Sequence, residues 1–409
     1  MRILHTSDWH LGHTLHEHHR RHEHQHFLGW LLDTLESENV DALIVAGDIF
    51  DTSNPPSTAQ DMLYRFIAQA RTRLPSLDMV FVGGNHDSPS RLDAPHPLLS
   101  QLGVAMVGGY VREDGDRMVV PLRGRDGEIA AWVAAVPFLR AGDWDGGDDE
   151  NGGGMVEGVR KAYQRVLERV AEKRRPEHAL IATGHCYMTR ATLSEGSERK
   201  IHGGNQHPLP VDIFPEHVDY VALGHLHFAQ QVDGREHVRY SGSPIPLSLD
   251  EREYKHAVCI VDFVQGRFAA LEERRIPRLV DIIRVPRSSG AAPLDEVCAE
   301  LRRLAARKPD DDEALLPFLD VHVALTSPRA NLRHEIDQAI EGRAARLTRS
   351  LPHYTGQDEA WNRPGVNLKE LHPEEVFQKM YEYRYSDPMP QALRDAFHEI
   401  LEKTLEERA

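Results

Sequence analysis

Five short motifs in the first 230 residues carry the polar side chains best suited to chemistry. Each motif follows an apolar run typical of a β-strand. Because ligands bind at the carboxyl ends of the strands in open α/β sheets, these side chains are expected to converge. The candidate ligands are two aspartates, one asparagine and four histidines, and His86 is an additional histidine that is not expected to be a ligand. The motifs are Asp8-Trp9-His10, Gly47-Asp48, Gly84-Asn85-His86-Asp87, Gly184-His185 and Gly224-His225-Leu226-His227.

This set of side chains suits the hydrolysis of a phosphoester by two divalent ions. Two cations about 3.5–4 Å apart clamp the phosphate and lower the pKa of a water from about 16 towards 7. Asp48 is the expected bridge, since an aspartate fixed at a strand end reaches both ions with little conformational freedom. Asp8 and His10 would face one ion only if the chain turns after the strand, which Gly12 makes easy. Mixed carboxylate, amide and imidazole ligands favour Mn²⁺, Fe²⁺ or Zn²⁺.

The five motifs resemble, in order and spacing, those of the calcineurin-like metallophosphoesterase superfamily. Within it, the chain is similar to the SbcD family, the nuclease subunits of bacterial SbcCD complexes. The similarity extends over nearly the whole chain. It implies an α/β fold, a four-layer α/β/β/α sandwich with a small α/β cap domain and a C-terminal helical hairpin. The segments that carry the similarity to SbcD are Met1–Gly12, Ala46–Thr52 and Glu236–Ser248.

The resemblance implies a role for each residue of the motifs. His86 would lie beside the phosphate, where it stabilises the transition state or protonates the leaving oxygen, and Asp87 would orient its ring. Some related nucleases carry a second catalytic histidine at the position that Asp51 occupies here. Whether Asp51 performs the function of that histidine is an open question. The ligand sets are implied to be Asp8, His10, Asp48 and His227 for one ion, and Asp48, Asn85, His185 and His225 for the other.

The resemblance also implies substrate and partners. It implies a single-strand endonuclease and a 3′-to-5′ exonuclease on duplex ends, acting in DNA break repair and hairpin cleavage. Two divalent ions are implied. Mn²⁺ is the first candidate, and Fe²⁺, Zn²⁺ or Mg²⁺ are the alternatives. An SbcC-type ATPase would bind the C-terminal helices and supply much of the grip on DNA. A homodimer is implied as well, with helices near Ser57–Arg73 and Arg91–Leu102 at its interface.

Strand-like and helical runs alternate up to about Arg275, which predicts a layered α/β core with mixed sheets. We expect four regions: a metallophosphoesterase domain over residues 1–275, a DNA-binding cap over 276–351, a linker over 352–365 and a helical hairpin over 366–409. In the core we predict helices over Arg20–Ser37, Ser57–Arg73 and Met155–Lys173, and strands over Ala42–Ala46, Met79–Val82, Val218–Ala222, His237–Tyr240 and Ala257–Phe263.

The cap is predicted to be a βαβαβ unit followed by a proline-flanked, polar linker. Its second helix and last strand carry arginines, which fit either ordinary surface charge or a contact with the duplex backbone. The predicted elements are Leu279–Val285, Leu294–Arg307, Phe318–Leu325, Leu332–Glu341 and Ala345–Leu351, and the arginines are Arg329, Arg333, Arg343, Arg346 and Arg349.

The C-terminal residues form two amphipathic patterns separated by Ser386-Asp-Pro-Met-Pro390. Their apolar faces would either pack within the chain, as an ordinary helical hairpin, or dock on a helix of the partner ATPase. A linker before the hairpin favours docking. The residues predicted to contact the partner are Val376, Phe377, Met380, Leu393, Phe397 and Leu401.

Composition sets the outer limits. The three cysteines form no CxxC pair, and the chain starts with no apolar leader, so we expect a cytoplasmic protein with no disulfide framework and no membrane contact. The protein would associate with the nucleoid when bound to DNA. Its 48 Lys and Arg against 64 Asp and Glu give a net charge of −16, whereas DNA attracts basic surfaces. If the substrate is DNA, a partner or dimerisation is therefore expected to help hold it.

Two other function classes remain open from the sequence. A phosphatase or cyclic-nucleotide phosphodiesterase would use the same ions on a small substrate, but it would not need the cap or the tail. A scaffold with a decayed site is disfavoured by the complete ligand set. A dense histidine cluster over residues 13–26 could bind metal, although a solvated loop and helix start explain it more simply.

Overall fold

The computed structural model describes residues 1–112, 115–144, 153–192, 208–288 and 290–354, together with positions 377–378, 381, 389–390, 393–394 and 397. The chain divides into two compact units. The first is Met1–Val323 with Ala330–Leu351, and the second is Ala324–Arg329 with Pro352–Ala409. Among the described helices, none combines the length and apolarity that crossing a membrane requires.

The described residues form 18 strands. In chain order they are β1 (Arg2–Thr6), β2 (Thr14–Leu15), β3 (His18–His19), β4 (Ala42–Ala46), β5 (Asp78–Val82), β6 (Val104–Val107), β7 (Val119–Arg123), β8 (Ile129–Ala134), β9 (Ala179–His185), β10 (Tyr220–Gly224), β11 (Gln230–Val232), β12 (Arg235–Tyr240), β13 (Ala257–Val264), β14 (Arg267–Arg275), β15 (Ile282–Val285), β16 (Ala292–Pro293), β17 (Phe318–Leu325) and β18 (Arg346–Tyr354).

Up to residue 354, the described residues contain seven α-helices. The three helices predicted in the core are present, with starts within two residues of the predicted ones, and the predicted strands there are present with ends shifted by at most two residues. In chain order the helices are α1 (Arg21–Ser37), α2 (Ser57–Arg73), α3 (Pro89–Asp93), α4 (His96–Leu99), α5 (Gly153–Lys173), α6 (Leu294–Leu301) and α7 (Leu332–Ile340).

Two mixed six-stranded sheets form the core. The first has the order β14-β13-β1-β4-β5-β6, in which β1, β4, β5 and β6 run parallel. The second has the order β11-β12-β10-β9-β8-β7, in which β12, β10, β9 and β8 run parallel. Parallel neighbours end at the same edge of a sheet, so each sheet presents a row of carboxyl ends.

Alternation along the strands sets the layers, because successive side chains of a strand point to opposite faces. On β4, Leu43 and Val45 pack with apolar residues of α1 and α2, while Ile44 packs with residues of β8, β9 and β10. Tyr163 of α5 joins the cluster that includes the second sheet. The result is the predicted four-layer α/β/β/α sandwich, with sheet on sheet at its centre.

A third sheet follows the core, with the order β15-β17-β16 and with β18 paired to β17. The predicted order of strands and helices in the cap is present, with β16 in addition. The predicted helix from Leu294 to Arg307 is too long, since α6 ends at Leu301. The chain leaves the helix because Ala306 forms an antiparallel bridge with Arg343, and the Arg307 amide donates to the Gly342 carbonyl. The last strand runs to Tyr354, beyond the predicted Leu351.

Buried histidines make folding depend on pH. Burial lowers the pKa of His5 and of His24 to about 3, whereas an unfolded histidine titrates near 6.5. The unfolded chain therefore binds more protons below pH 6.5, and stability falls as the pH drops from about 6.5 towards 3. Each such histidine contributes up to about 1.4 kcal/mol per pH unit within that window.

We predict that His24→Gln flattens the loss of unfolding free energy between pH 6.5 and 4.5, measured by urea denaturation in EDTA. Glutamine keeps a donor for the Trp9 carbonyl, which His24 Nε2 reaches at 3.0 Å. The control is His22→Gln on the same helix, since His22 is exposed. Equal slopes in the two variants would contradict the prediction.

Candidate metal centre

The polar motifs meet where the carboxyl ends of five strands come together. Asp8 and His10 follow β1, Asp48 follows β4, and Asn85 follows β5, all in the first sheet. His185 ends β9, and the motif with His225 and His227 follows β10, both in the second sheet. The structure brings all seven predicted ligands together at these strand ends.

Asp48 lies at the centre of this group. Its carboxylate oxygen Oδ2 is 3.2 Å from Nε2 of His185 and 3.5 Å from Nε2 of His10. Its Oδ1 accepts the backbone amide of His86 at 2.9 Å. The Asp48 side chain is 3% exposed, so the two histidines and this amide, rather than water, surround the carboxylate. Asp48 therefore stands between two clusters of potential ligands.

The first cluster contains Asp8, His10 and His227. One ligand atom from each lies within 4.8 Å of the other two, which is close enough for one cation to reach all three. The Asp8 carboxylate is fixed by the backbone amide of His225, which donates to Oδ1 at 2.9 Å. Ser7 Oγ also donates to Asp8 Oδ2, at 2.5 Å. This cluster thus combines a fixed carboxylate with two imidazoles.

The second cluster contains Asn85, His185 and His225. The Asn85 carbonyl oxygen Oδ1 is 3.0 Å from His185 Nε2 and 3.0 Å from His225 Nδ1. The other ring nitrogen of His185, Nδ1, donates to the Ala46 carbonyl at 2.9 Å, which leaves Nε2 pointing at Asp48 and Asn85. Asp8, Asp48 and His185 also form a group within 4.8 Å of one another. The two clusters therefore share the region around Asp48.

Two buried ring nitrogens test whether a cation fits here. In the part of the chain that the structure describes, His10 Nε2 and His225 Nε2 are buried and have no hydrogen-bond partner. A buried polar atom left unpaired is costly, and a bound cation would satisfy it. Imidazole, carboxylate and amide donors together suit divalent ions of the first transition row. The residues present fit divalent metal ions.

The turns that carry the ligands are strained. Asp8, His10, Asp48 and His225 all have left-handed backbone angles, with φ of 53°, 45°, 48° and 99°. Such angles cost about 1–3 kcal/mol each outside glycine and cluster at functional sites. The expectation that Gly12 supplies the turn for Asp8 and His10 needs correction. Gly12 does have positive φ, but the two ligands themselves turn the chain so that both face one cluster.

Trp9 anchors the first strained turn. Its buried ring lies edge-on to Phe27 of α1, Phe66 of α2 and Phe81 of β5, with centroids 5.6, 5.4 and 5.8 Å away. Its indole nitrogen donates to Thr6 Oγ1 at 3.1 Å. Aromatic pairs of this geometry contribute about 0.5–1.5 kcal/mol each beyond area burial. Packing at Trp9 therefore offsets strain at its neighbours on either side.

Two glycines let the chain segments approach closely enough. A Cβ atom at Gly84 would lie 2.1 Å from Asp48 Oδ1, and one at Gly224 would lie 1.9 Å from the Ala46 carbonyl oxygen. Gly224 ends a strand of the second sheet, and Ala46 ends a strand of the first. Any larger residue at Gly224 would push the two sheets apart at the site.

The charges around Asp48 are strongly coupled. Burial alone would raise the pKa of Asp48, but His185 and His10 outweigh burial and hold that pKa well below its usual range. Burial would lower the pKa of His185, but Asp48 and Asp8 outweigh it and raise that pKa to about 9. Burial, with a further contribution from the neighbouring His185, lowers the pKa of His225 to about 3. Binding of a cation at His185 Nε2 must therefore release a proton.

Comparison with known proteins identifies the family of this chain. Residues 1–229 match the family model for the calcineurin-like phosphoesterase. Residues 278–385 match the model described as the type 5 capsule protein repressor C-terminal domain, SbcD_C. The SbcD component of the SbcCD nuclease from Rhodobacter capsulatus is 40% identical, over 92% of this chain and 93% of that protein.

This chain belongs to the SbcD family of calcineurin-like phosphoesterases. The SbcD component from Escherichia coli is 34% identical, over 86% of this chain and 83% of that protein. The one from Bacillus subtilis is 28% identical, over 95% of both chains. The family and the fold inferred from the sequence motifs are confirmed by these matches.

Asp51, where some related nucleases have a histidine, contacts both neighbouring histidines in this SbcD-family chain. Its carboxylate Oδ1 is 3.1 Å from His10 Nδ1, which directs His10 Nε2 towards Asp48. Its backbone carbonyl accepts a hydrogen bond from His86 Nδ1 at 2.8 Å. Asp51 thus orients one predicted ligand and the predicted catalyst, by side chain and main chain respectively.

The expectation that Asp87 orients the His86 ring is wrong. The Asp87 carboxylate accepts three backbone amides instead, from Ile49 at 3.0 Å, Phe50 at 2.9 Å and Gly84 at 2.9 Å. Burial raises the pKa of Asp87 to about 6, with a further contribution from the neighbouring Asp48. Asp87 therefore ties the loop after β4 to the loop after β5.

His86 lies at the exposed edge of the centre. Its ring centroid is 4.8 Å from that of His10, and one of its nitrogens lies within 4.8 Å of ligand atoms of His10 and Asp48. Because Nδ1 donates to the Asp51 carbonyl, Nε2 is the nitrogen left to act. This geometry allows either contact with a phosphate or coordination of a cation.

Glu251 is a site residue that the sequence reasoning missed. Its Oε1 is 2.8 Å from His227 Nδ1, and its Oε2 accepts the Leu247 amide at 2.7 Å. Burial would raise the pKa of Glu251, but His227 outweighs it and lowers that pKa to about 2. A carboxylate on Nδ1 leaves Nε2 of a histidine for metal binding. Its one sequence signal is its place shortly after the Ser241-Gly-Ser-Pro244 segment.

The Ser241-Gly-Ser-Pro244 segment forms hydrogen bonds that hold residues of the first cluster. Ser241 Oγ pairs with Ser7 Oγ at 2.8 Å, and Ser7 in turn donates to Asp8. The Ser243 amide donates to the His227 carbonyl at 3.1 Å. A segment that carries the similarity to the SbcD family therefore holds two predicted ligands in place.

The residues predicted to contact a partner are described only in part. Val376, Met380 and Leu401 lie outside the described residues. The rings of Phe377 and Phe397 stack on each other, with centroids 4.4 Å apart and planes 9° apart. Leu393 is half-buried.

The arginines of the cap are mostly engaged within the chain. Arg346 lies over the Phe318 ring at 4.3 Å, and Arg343 donates to the Leu304 carbonyl at 3.2 Å. Arg349 forms ion pairs with Asp320 at 2.7 Å and with Asp250 at 3.1 Å. Arg333 is paired with Asp337 on the helix surface, at 3.4 Å. These internal contacts favour a structural role over contact with a DNA backbone for Arg343, Arg346 and Arg349.

We predict that Glu251→Gln weakens Mn²⁺ binding by about 10- to 100-fold, the usual effect of losing an outer carboxylate. The glutamine oxygen can accept a hydrogen bond from His227 or from the Leu247 amide. The NH₂ group only donates, so one of the two hydrogen bonds is lost. Isothermal titration calorimetry measures the change, and Glu253→Gln on the same turn is the control because Glu253 is exposed. Equal affinities in the two variants would contradict a positioning role for Glu251.

Proposed function

We propose that the chain is a DNA nuclease that hydrolyses phosphodiesters with two divalent ions. Mn²⁺ is the first candidate for these ions. The observation that carries this proposal is the buried Asp48 carboxylate between two clusters of ligand atoms. The proposed ligands for one ion are Asp8, His10, Asp48 and His227, and those for the other are Asp48, Asn85, His185 and His225.

The residues would divide the reaction between them. When bound, two divalent ions would supply charge for the phosphate oxygens and an acidified water as nucleophile. Asp48 would hold the two ions at a fixed separation. His86 would donate a proton from Nε2 to the leaving oxygen or stabilise charge on the phosphate, since Nδ1 is held by the Asp51 carbonyl. The exposure of His86 fits contact with a substrate that arrives from solvent.

We propose that DNA is the substrate because the relatives from Rhodobacter capsulatus and Escherichia coli are nuclease subunits. The proposed activities are endonuclease on single strands and 3′-to-5′ exonuclease on duplex ends, in break repair and hairpin cleavage. The relatives are subunits of a nuclease complex, and the charge of −16 argues for another component that grips DNA. An SbcC-type ATPase is that proposed partner, in the cytoplasm and at the nucleoid.

The organisation we propose keeps the four regions 1–275, 276–351, 352–365 and 366–409. The last would bind a coiled coil of the ATPase. The stack of Phe377 on Phe397 joins its two helical segments, so contact with the partner would fall on the other apolar residues of this region. For the homodimer, support comes from Leu98 and Leu102, which expose 68% and 39% of their surface within the predicted interface segment.

We predict that His86→Ala abolishes Mn²⁺-stimulated cleavage of single-stranded and hairpin DNA, while Mn²⁺ affinity changes less than about threefold. The loss of a general acid typically costs about 10²- to 10⁴-fold in rate. Cleavage of labelled DNA and calorimetric titration with Mn²⁺ measure the two quantities.

The matched control is His217→Ala, which removes another exposed histidine, from the loop before β10. Equal losses of cleavage and of metal affinity in His86→Ala would make His86 a ligand instead. Wild-type protein that hydrolyses mononucleotides but no DNA would replace the nuclease proposal with a phosphatase.

A further inference from the structure

An exposed aromatic residue sits directly beside the metal centre. Phe228 follows the predicted ligand His227 in the chain, and 37% of its surface is exposed. Its ring centroid lies 5.0 Å from that of Tyr254, with the planes at 58°. Phe228 is thus an exposed aromatic residue next in the chain to a predicted ligand, and it contacts the half-buried Tyr254.

The aromatic pair is rigidly connected to the centre. Tyr254 ends the turn that carries Glu251, and its amide donates to the Glu251 carbonyl at 2.9 Å. The Glu251 side chain in turn holds His227. On the other side, Phe228 adjoins His227 directly, and the Gln230 side chain donates to the Phe228 carbonyl at 3.3 Å. The backbones of Phe228 and Tyr254 are therefore both connected to His227 or to the residue that holds it.

A cavity of about 290 Å³ lies beside this pair, and the predicted ligand His227 is one of the residues that line it. It is lined by His227, Phe228, Tyr254, Ser243, Lys255 and Arg275, among others. Two carboxylates also line it, but Glu253 is paired with Arg252 at 3.1 Å and Glu273 with Arg275 at 3.3 Å. Lys255 is exposed on its rim and adds positive charge there.

We propose that Phe228 and Tyr254 form a stacking platform for one unpaired nucleobase adjacent to the cleaved phosphate. An aromatic face beside a cation matches a base and its phosphate, and base stacking tolerates any sequence. A base inside a duplex is already stacked on both sides, so only an unpaired or extruded base can lie on Phe228. The platform would thereby favour single strands and hairpin loops. This inference rests on the proposed nuclease function and names a specificity residue for it.

The test uses a single-stranded oligonucleotide with one cleavable linkage, flanked by a normal base or by an abasic tetrahydrofuran on either side. Single-turnover cleavage by the full-length chain with Mn²⁺ is compared between wild type, Phe228→Ala and Phe228→Trp. Phe228→Ala should slow cleavage of the normal substrate about 5- to 150-fold, the range seen for lost base stacking. When the abasic site lies on the side of the platform, wild type, Phe228→Ala and Phe228→Trp should cleave the substrate at equal rates.

A second measurement is independent of cleavage. The oligonucleotide carries 2-aminopurine at the same position, and fluorescence is recorded in EDTA, which prevents turnover. Wild type and Phe228→Trp should quench 2-aminopurine on binding, and Phe228→Ala should not. Val264→Ala is the control, since Val264 exposes 62% of its surface on a distant hairpin, and it should behave as wild type.

Each remaining outcome overturns the proposal. If Phe228→Ala slows normal and abasic substrates equally, or slows neither, the ring does not stack on a base. If 2-aminopurine is quenched equally by wild type and Phe228→Ala, the base lies elsewhere. If the wild type cleaves no DNA at all with Mn²⁺, the nuclease function fails as well, which separates that failure from loss of the platform alone.

Discussion

A buried carboxylate that must be compensated governs this molecule. Asp48 is almost fully shielded from water, and an isolated charge in such a place would be prohibitively costly. The structure meets that cost with His185, His10 and the His86 amide. To bring those groups within reach, two sheets must present their carboxyl ends to the same point. The close contact at Gly224 and the left-handed turns at the ligands follow from that requirement.

A ring of outer contacts keeps the ligands in place and connects them to the rest of the chain. Asp51 orients His10, and Glu251 orients His227. The residue before Glu251, Asp250, pairs with Arg349 of the last cap strand. The turn that holds a predicted ligand is therefore also held by the cap sheet, so the cap contributes to the geometry of the centre.

Much of the architecture was predictable because it depends on local pattern. Apolar runs predicted five of the core strands within two residues, and the motifs that follow such runs identified the predicted ligands. What escaped prediction depends on contacts between distant segments. Glu251 has no spacing relation to His227, the role of Asp87 depends on amides of another loop, and α6 ends early because Ala306 pairs with Arg343. The contact of the exposed Phe228 with Tyr254 likewise appears only after folding.

The central proposal is that the Asp48 carboxylate would bridge two divalent cations. Anomalous X-ray diffraction at the manganese edge, from crystals of the full-length chain grown with Mn²⁺, tests it most directly. We expect two anomalous peaks about 3.5–4 Å apart with the Asp48 carboxylate between them. One peak should lie by Asp8, His10 and His227, and the other by Asn85, His185 and His225. A single peak, or two peaks of which one lies away from Asp48, would contradict it.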